Sequence, residues 1–319
     1  MLDIRCDSAN ELFAASCRAV RQRGTRSAPR GMGTTEVLGA HLCLTRPRHR
    51  FVDLPPTRIL NPAFAVAETL WIISGSDDPW IFDYNGSLAQ YADNGRLQGA
   101  YGPRIRNWRG AVDQLDHVRT LLTRDRDSRQ GVIQIYDAER DTCGHRDVPC
   151  TLGHRFFLRD GRLHLYTTMR SQDLWLGFPY DIITNTLILE LMAGWLGADL
   201  GEYHHYVDSL HLYDQHLDRA ETSIANAELS SPMPDMTVSW SALSNVLAAT
   251  LADEPSAEAS AGWTSFAHTL ASYRIWKAGE REKARTLITN AGNGLLPGAL
   301  IRWYDHLETR QSAVASLAG

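Results

Sequence analysis

Several broad classes are closed to this sequence by what it lacks. No stretch approaches the run of about eighteen uninterrupted apolar residues that a membrane-spanning helix needs. The opening residues, MLDIRCDSAN, carry charge where an export leader would be apolar. Cysteine is sparse and odd in number, with Cys6, Cys17, Cys43, Cys143 and Cys150 scattered over a long chain, which suits reduced thiols and a cytoplasmic setting rather than a disulfide framework. Positive charge is not in excess: the net charge is −5, so no chain-wide field exists to hold a nucleic acid backbone or an anionic membrane, and a small-molecule partner is favoured. Repeats and low-complexity tracts are absent too. What is present is a hydrophobic content of 44% against 22% charged residues, enough to fold. A chain of 319 residues is expected to form one large domain or a domain with an appended unit.

Local signals organise the chain. Ser8 and Glu11 are spaced as a capping box ahead of LFAASCRAV, a helix that Gly24 ends. A basic, glycine-rich segment with Arg30 leads into EVLGAHLCL, which reads as a strand. Asn61-Pro62 supplies a cap and a helix-starting proline before AFAVAETLWII, closed by Gly75. An amphipathic helix is expected over 110–124 and a strand over 130–137, entered through the turn that holds Arg129. Leu152 to Leu158 and Leu163 to Met169 read as strands of a hairpin turning at Asp160-Gly161. A long apolar helix over about 181–196 follows, and then YHHYVDSLHLY, expected to be a strand running into a helix. Strands interleaved with buried helices give an α/β (α+β) sheet protein, and beyond residue 225 the alanine- and leucine-rich spacing turns wholly helical.

A few residues stand out for their chemistry. Cys150 follows Pro149 at the start of a strand, and Arg170 at the end of the partner strand could lower its pKa and make it a nucleophile; its alternative is a small buried hydrophobe. Cys143, His145, Cys150 and His154 offer metal-ligand atoms, but not in the close pairs of structural zinc sites, so no metal is expected. Arg170-Ser171-Gln172-Asp173 sets a cation, a hydroxyl and a carboxylate directly after a strand, suited to an anion. Glu68, lodged among Val66, Leu70, Trp71 and Ile72, should be desolvated and so equipped for proton transfer near neutral pH. His211 and Tyr213, two apart, share a strand face and could meet a sugar hydroxyl, while Arg30 and Arg129 could bind phosphate.

Read in order, AETLWIISG, GAYGPRIRNW, DRDSRQ, VPCTLGHRFFLRDGRLHLYTTMRSQDLWLGFPYDI and YVDSLHLYDQHLD resemble the thymidylate synthase superfamily over roughly residues 27–218. The resemblance implies a mixed β-sheet with surrounding helices over 1–225, followed by a helical C-terminal extension over 226–319. It implies that Cys150 adds to C6 of a pyrimidine nucleotide whose C5 then attacks methylenetetrahydrofolate. By the same likeness Glu68 shuttles protons, Tyr101 belongs to the active site, Arg170 and Ser171 hold phosphate, and His211 and Tyr213 bind the ribose. Asp173, Leu176, Gly177 and Tyr180, with Trp71, would form the folate side, and a homodimer would carry Arg129 into its partner's site. Synthases of this superfamily read LGxPFN, where this chain reads LGFPYD: Asp181 can accept from the cytosine amino group and share a proton with ring N3. That exchange resembles the cytidylate 5-hydroxymethylases, which quench the C5 intermediate with water, and it implies action on CMP or dCMP. Ser87 and Gln90 stand about where synthases carry two tryptophans, and Gln130 and Thr151 alter the phosphate clamp. A true thymidylate synthase, or a regulator that binds nucleotide or RNA without catalysis, are the alternatives.

Overall fold

A computed structural model of the chain describes residues 1–224, 231–254 and 256–318. The N-terminal half alternates short strands and helices: β1 (Leu2–Cys6), α1 (Ala9–Arg23), β2 (Thr25–Ser27), β3 (Thr34–Leu44), α2 (Pro62–Ile73), α3 (Tyr101–Arg106), α4 (Gln114–Arg124), β4 (Val132–Gln134) and α5 (Ala138–Asp141). The long hairpin β5 (Thr151–Arg159) and β6 (Arg162–Asp173) follows, then α6 (Phe178–Trp195), β7 (Asp199–Tyr213) and α7 (Leu217–Ile224). Four helices close the described chain: α8 (Leu243–Ala252), α9 (Ala261–Lys277), α10 (Arg281–Asn290) and α11 (Leu295–Ala318). The seven strands make one mixed sheet in the order β1-β3-β7-β6-β5-β4, with β2 paired to β3. Antiparallel hairpin pairing of β5 with β6 and parallel pairing of β6 with β7 set the middle of this sheet.

The local signals hold where they are local. The Ser8–Glu11 capping box forms in full, and Asn61 caps α2 through its side chain on the Phe64 amide at 3.2 Å. Asp160 and Gly161 take positive φ at the β5–β6 turn, as a tight hairpin requires. Two expectations change. The helix expected from 110 begins at Gln114, because Arg109 and Gly110 adopt left-handed backbone and Asp113 supplies the cap. The strand expected over 130–137 shrinks to β4, since the amides of Ile135 and Tyr136 both turn onto the Leu152 carbonyl, at 3.0 and 3.2 Å. The β5–β6 register slips at the same place, between Thr151 and Gly153, so a bulge sits one residue beyond Cys150 and re-aims the chain there.

α1 and α6 pack on the sheet and α2 packs on α6, joining one core with the C-terminal helices. α9 lies against α2, Tyr273 stacks on Tyr84 at 5.6 Å between ring centroids, and Arg302 of α11 pairs with Asp53. The boundary expected at 225 and 226 lies outside the described residues. No described helix is long and apolar enough to cross a membrane. On the other side of the sheet, the half-buried rings of His41, Tyr166 and Tyr206 and the buried ring of His204 stack on one another. Cys43, Glu202 and His204 bring ligand atoms within 4.8 Å there, but Arg5 already donates to Cys43 Sγ at 3.3 Å and to Glu202, which makes the group an ion-pair network.

One buried charge pair ties α6 to the segment that follows β3, and its carboxylate also holds the segment that follows α7. Arg50 is fully buried and bonds Glu190, which also takes Arg48 at 2.9 Å and the Met236 amide at 3.2 Å. Glu190→Ala strands the Arg50 charge and should cost about 3–5 kcal/mol in urea unfolding. An Arg50→Met, Glu190→Leu pair should lose clearly less; equal losses would show that the ion pair is not what holds this joint.

Candidate active site

Cys150 stands at the last position before β5, and the Arg170 amide of β6 donates to its carbonyl at 2.9 Å, so strand pairing sets the two residues opposite each other. The Arg170 side chain then wraps the nucleophile's own approach. Nε donates to the Pro149 carbonyl and Nη2 to the Val148 carbonyl, each at 2.9 Å, while Nη2 also reaches Cys150 Sγ at 3.8 Å. The sequence placed this cation beside the thiol correctly but misjudged the sum. Burial pushes the Cys150 thiol above its ordinary value; Arg170 and, more weakly, Arg30 pull it down, while Asp181 and Asp147 push it further up. The ligand-free site therefore holds a neutral thiol.

Three further groups share this electrostatic neighbourhood, because Glu68, Tyr101 and Cys150 all feel the charge of Asp181. Glu68 projects from α2, a helix buried on nearly every side, and desolvation followed by the Asp181 charge raises its pKa to about 8. It is mostly protonated at pH 7, as a proton shuttle should be. Tyr101 begins α3, which the buried Arg104–Asp141 pair (2.6 and 2.7 Å) pins against the sheet; its hydroxyl accepts from the Thr151 amide at 3.3 Å. Asp181 lies in the first turn of α6, whose start is three residues earlier than the sequence suggested because Gly177 caps it and Pro179 opens it. The helix end should favour its charged form, yet burial outweighs that and lifts its pKa to about 6.

The anion and ribose candidates gather at the strand ends. Asp173 pairs in register with His211 across β6 and β7, and Ser171 with Ser209. His211 and Tyr213 do share a face, their rings meeting edge-on at 5.3 Å. Arg30 is exposed in a short turn with φ of 54°, close enough to lower the Cys150 pKa. Arg129 is exposed in the turn ahead of β4 and has no ion pair among the described residues. On the other flank, Asp173 Oδ1 accepts from the amides of Trp175 and Leu176 at 2.7 and 3.0 Å, fixing a loop that leaves Leu176 52% exposed. Tyr180 packs edge-on to Phe64 at 4.7 Å and accepts from the Asn61 amide at 3.4 Å. Trp71 is 5% exposed and donates its indole N–H to the Asp78 carbonyl at 2.9 Å. Ser87 and Gln90 lie exposed on a short turn, Gln90 bonding the Ser87 carbonyl at 2.8 Å.

Sequence reasoning missed Asp147, which accepts from the Gly99 amide at 2.9 Å and adds negative charge near Cys150. It also missed a buried polar file. Asp181 Oδ2 accepts from Gln172 Nε2, and Gln172 Oε1 meets His205 Nε2, each at 2.9 Å. His205 Nδ1 meets the Tyr203 hydroxyl at 2.6 Å, and that hydroxyl accepts from Asn185 at 2.9 Å.

A family model described as Thymidylate synthase matches residues 11–253. Among curated proteins, a Deoxyuridylate hydroxymethyltransferase of Bacillus phage SP01 is similar, 36% identical over 217 residues. That match covers 64% of this chain and 56% of the relative, so the chain spans little more than half the relative's length.

The thiol's position between burial and Arg170 can be read by alkylation with iodoacetamide, followed by mass spectrometry of the Cys150 peptide. The rate should rise with pH at higher values than for free cysteine, and Arg170→Met should slow it several-fold at pH 8. A faster or unchanged rate in that variant would show that Arg170 does not stabilise the thiolate.

Proposed function

The chain belongs to the thymidylate synthase family, and from that premise we propose that it is a transferase that hydroxymethylates C5 of a cytidine monophosphate, CMP ahead of dCMP. The observation that carries the base assignment is Asp181, a buried carboxyl with a pKa near 6, where synthases of the family place a neutral amide. Cytosine offers it an amino donor and a ring nitrogen able to take a proton, and a carboxyl complements both. The ribonucleotide preference rests on overall likeness to the CMP-directed branch and on no single residue.

Methylenetetrahydrofolate, as co-substrate, supplies a one-carbon unit at the oxidation level of formaldehyde; the exposed Leu176 and the fixed Asp173 loop offer it an apolar edge and a polar anchor. Nucleotide, methylenetetrahydrofolate and water would give the 5-hydroxymethyl nucleotide and tetrahydrofolate, so no hydride is consumed. In this reading the Cys150 thiol loses its proton as nucleotide binds and its sulfur adds to C6. That places negative charge on C5, which forms the new carbon–carbon bond. The C5 proton then leaves to a base, the methylene–nitrogen bond breaks so that tetrahydrofolate departs, water adds at the new carbon, and the C6–sulfur bond breaks to return Cys150. Glu68 relays protons through this sequence, Tyr101 helps hold the ring beside the thiol, and Arg170, with Arg30, balances the phosphate. His211 and Tyr213 meet the sugar. A second copy of the chain would cover the sheet face carrying His41, Tyr166, His204 and Tyr206 and bring Arg129 to its partner's phosphate. Residues 226–319 would act as a helical extension that braces α2.

A second reading, hydroxymethylation of a uridylate, is favoured by the phage relative, whose name specifies deoxyuridylate. CMP, dCMP, UMP and dUMP, each tritiated at C5 and assayed with the same folate, separate the readings. Release from CMP with a 5-hydroxymethyl product and no dihydrofolate is expected; release from uridylates alone would select the second reading, and dihydrofolate formation would indicate methylation. Cys150→Ala should abolish release. Glu68→Gln should cut it by about 10²–10⁴-fold. The Glu68 acid is present below its pKa of about 8, so wild-type turnover should decline above that pH; a profile flat through pH 9 would remove Glu68 from proton transfer.

A further inference from the structure

We infer that Gln172 is a positioning residue that sets which pyrimidine the site accepts, by holding one oxygen of Asp181 as a hydrogen-bond acceptor. This rests on the proposed cytidylate chemistry and deepens it.

The direction of the buried file follows from its members. Gln172 Nε2 lies 2.9 Å from Asp181 Oδ2 and 3.3 Å from the Asp173 carbonyl, and the carbonyl can only accept, so the amide nitrogen faces these two oxygens. Gln172 Oε1 must then receive a proton from His205 Nε2 at 2.9 Å. His205 is fully buried and kept neutral, its pKa pulled down to about 3 by desolvation, so its Nδ1 is bare and accepts from the Tyr203 hydroxyl at 2.6 Å. Gln172 is itself 2% exposed and cannot turn without breaking this order. Room for the amide is reserved at the start of α6: a Cβ on Gly177 would fall 2.8 Å from Gln172 Nε2 and 3.3 Å from Asp181 Oδ2.

The consequence is a bias between bases. A donor fixed on Asp181 stabilises the carboxylate more than the acid. Cytosine can carry the shared proton on its own N3, leaving Asp181 ionised and pairing N3–H and N4–H with its oxygens. Uracil cannot, because its N3 already bears hydrogen and its O4 is a poor base, so Asp181 itself must hold the proton that meets O4. Gln172 thus favours the base that takes the proton away.

The groups facing Asp181 leave this titration legible. Glu68 on α2, Tyr101 on α3 and the Cys150 thiol before β5 all stay protonated through the range around pH 6, and Tyr203 and His205 on β7 are neutral there. Asp173, whose charge raises Asp181, is the remaining carboxyl.

The test is kcat/KM for CMP and UMP against pH in the wild-type protein, Gln172→Met and Tyr203→Phe, with thermal unfolding run on each. Gln172→Met should lower the CMP:UMP ratio by roughly five- to tenfold, the difference between a charged and a neutral hydrogen bond, and raise the pH, about 6 in the wild type, above which kcat/KM for CMP falls as the shared proton is lost, the limb that Asp181 sets. Tyr203→Phe, two groups further back along the file beyond His205, should shift both in the same direction by less; it supplies the answer if Gln172→Met does not fold. A folded variant with unchanged ratio and limb would overturn the role of Gln172 while leaving the cytidylate reading intact. A wild-type protein that turns over no cytidylate would overturn that reading and this inference with it.

Discussion

Burial of Cys150, Glu68 and Asp181 between the sheet and the helices α2 and α6 removes water from three groups whose charged forms need it, and the behaviour of the whole site follows from how each loss is offset. Glu68 has no opposing cation among the described residues and stays protonated at neutral pH. Asp181 has the Gln172 donor and remains a carboxyl that can change state near pH 6. Cys150 has Arg170 at 3.8 Å, which does not overcome burial. A nucleotide phosphate and ring arriving between these groups would redistribute charge in a site already close to several protonation changes, which is the condition under which general acid and base chemistry is efficient.

The scaffold serves this arrangement through pairing across the middle of the sheet. Arg170 reaches Cys150 because β5 and β6 are adjacent antiparallel strands, and the bulge after Cys150 alters the chain's direction beside the thiol. Gln172 Oε1 meets His205 Nε2 at 2.9 Å although the parallel register of β6 and β7 sets His205 opposite Thr167 and Gln172 opposite Leu210. The C-terminal helices add support at a distance: Tyr273 stacks on Tyr84, whose carbonyl takes the Asn61 side-chain amide, and Asn61 caps the helix that carries Glu68.

Features written in neighbouring residues were legible before the structure. The capping box at Ser8, the Asn61-Pro62 start of α2, the Asp160-Gly161 hairpin and the shared face of His211 and Tyr213 each depend on spacing within a few residues. The ordered resemblance supplied Cys150, Arg170, Glu68, Asp181 and Tyr101, and in the structure the five are linked by their charges, Asp181 acting on Glu68, Tyr101 and Cys150, and Arg170 on Cys150. The rest required non-local pairing. Gln172, Tyr203 and His205 look like ordinary strand residues until β6 and β7 lie side by side. The sign of the Cys150 shift was illegible for a related reason: a nearby arginine can be inferred from strand pairing, whereas the burial that outweighs it depends on the completed fold.

The central claim is that Cys150 adds to a cytosine ring read by Asp181. Incubation with a C5-fluorinated cytidylate or its uridylate counterpart plus methylenetetrahydrofolate, followed by intact-mass and peptide mass spectrometry, tests it directly, because fluorine cannot leave C5 as a proton does and the covalent complex accumulates. The account predicts a ternary adduct on the Cys150 peptide with the fluorocytidylate. An adduct formed only with the fluorouridylate, or on another cysteine, or not at all, would contradict it.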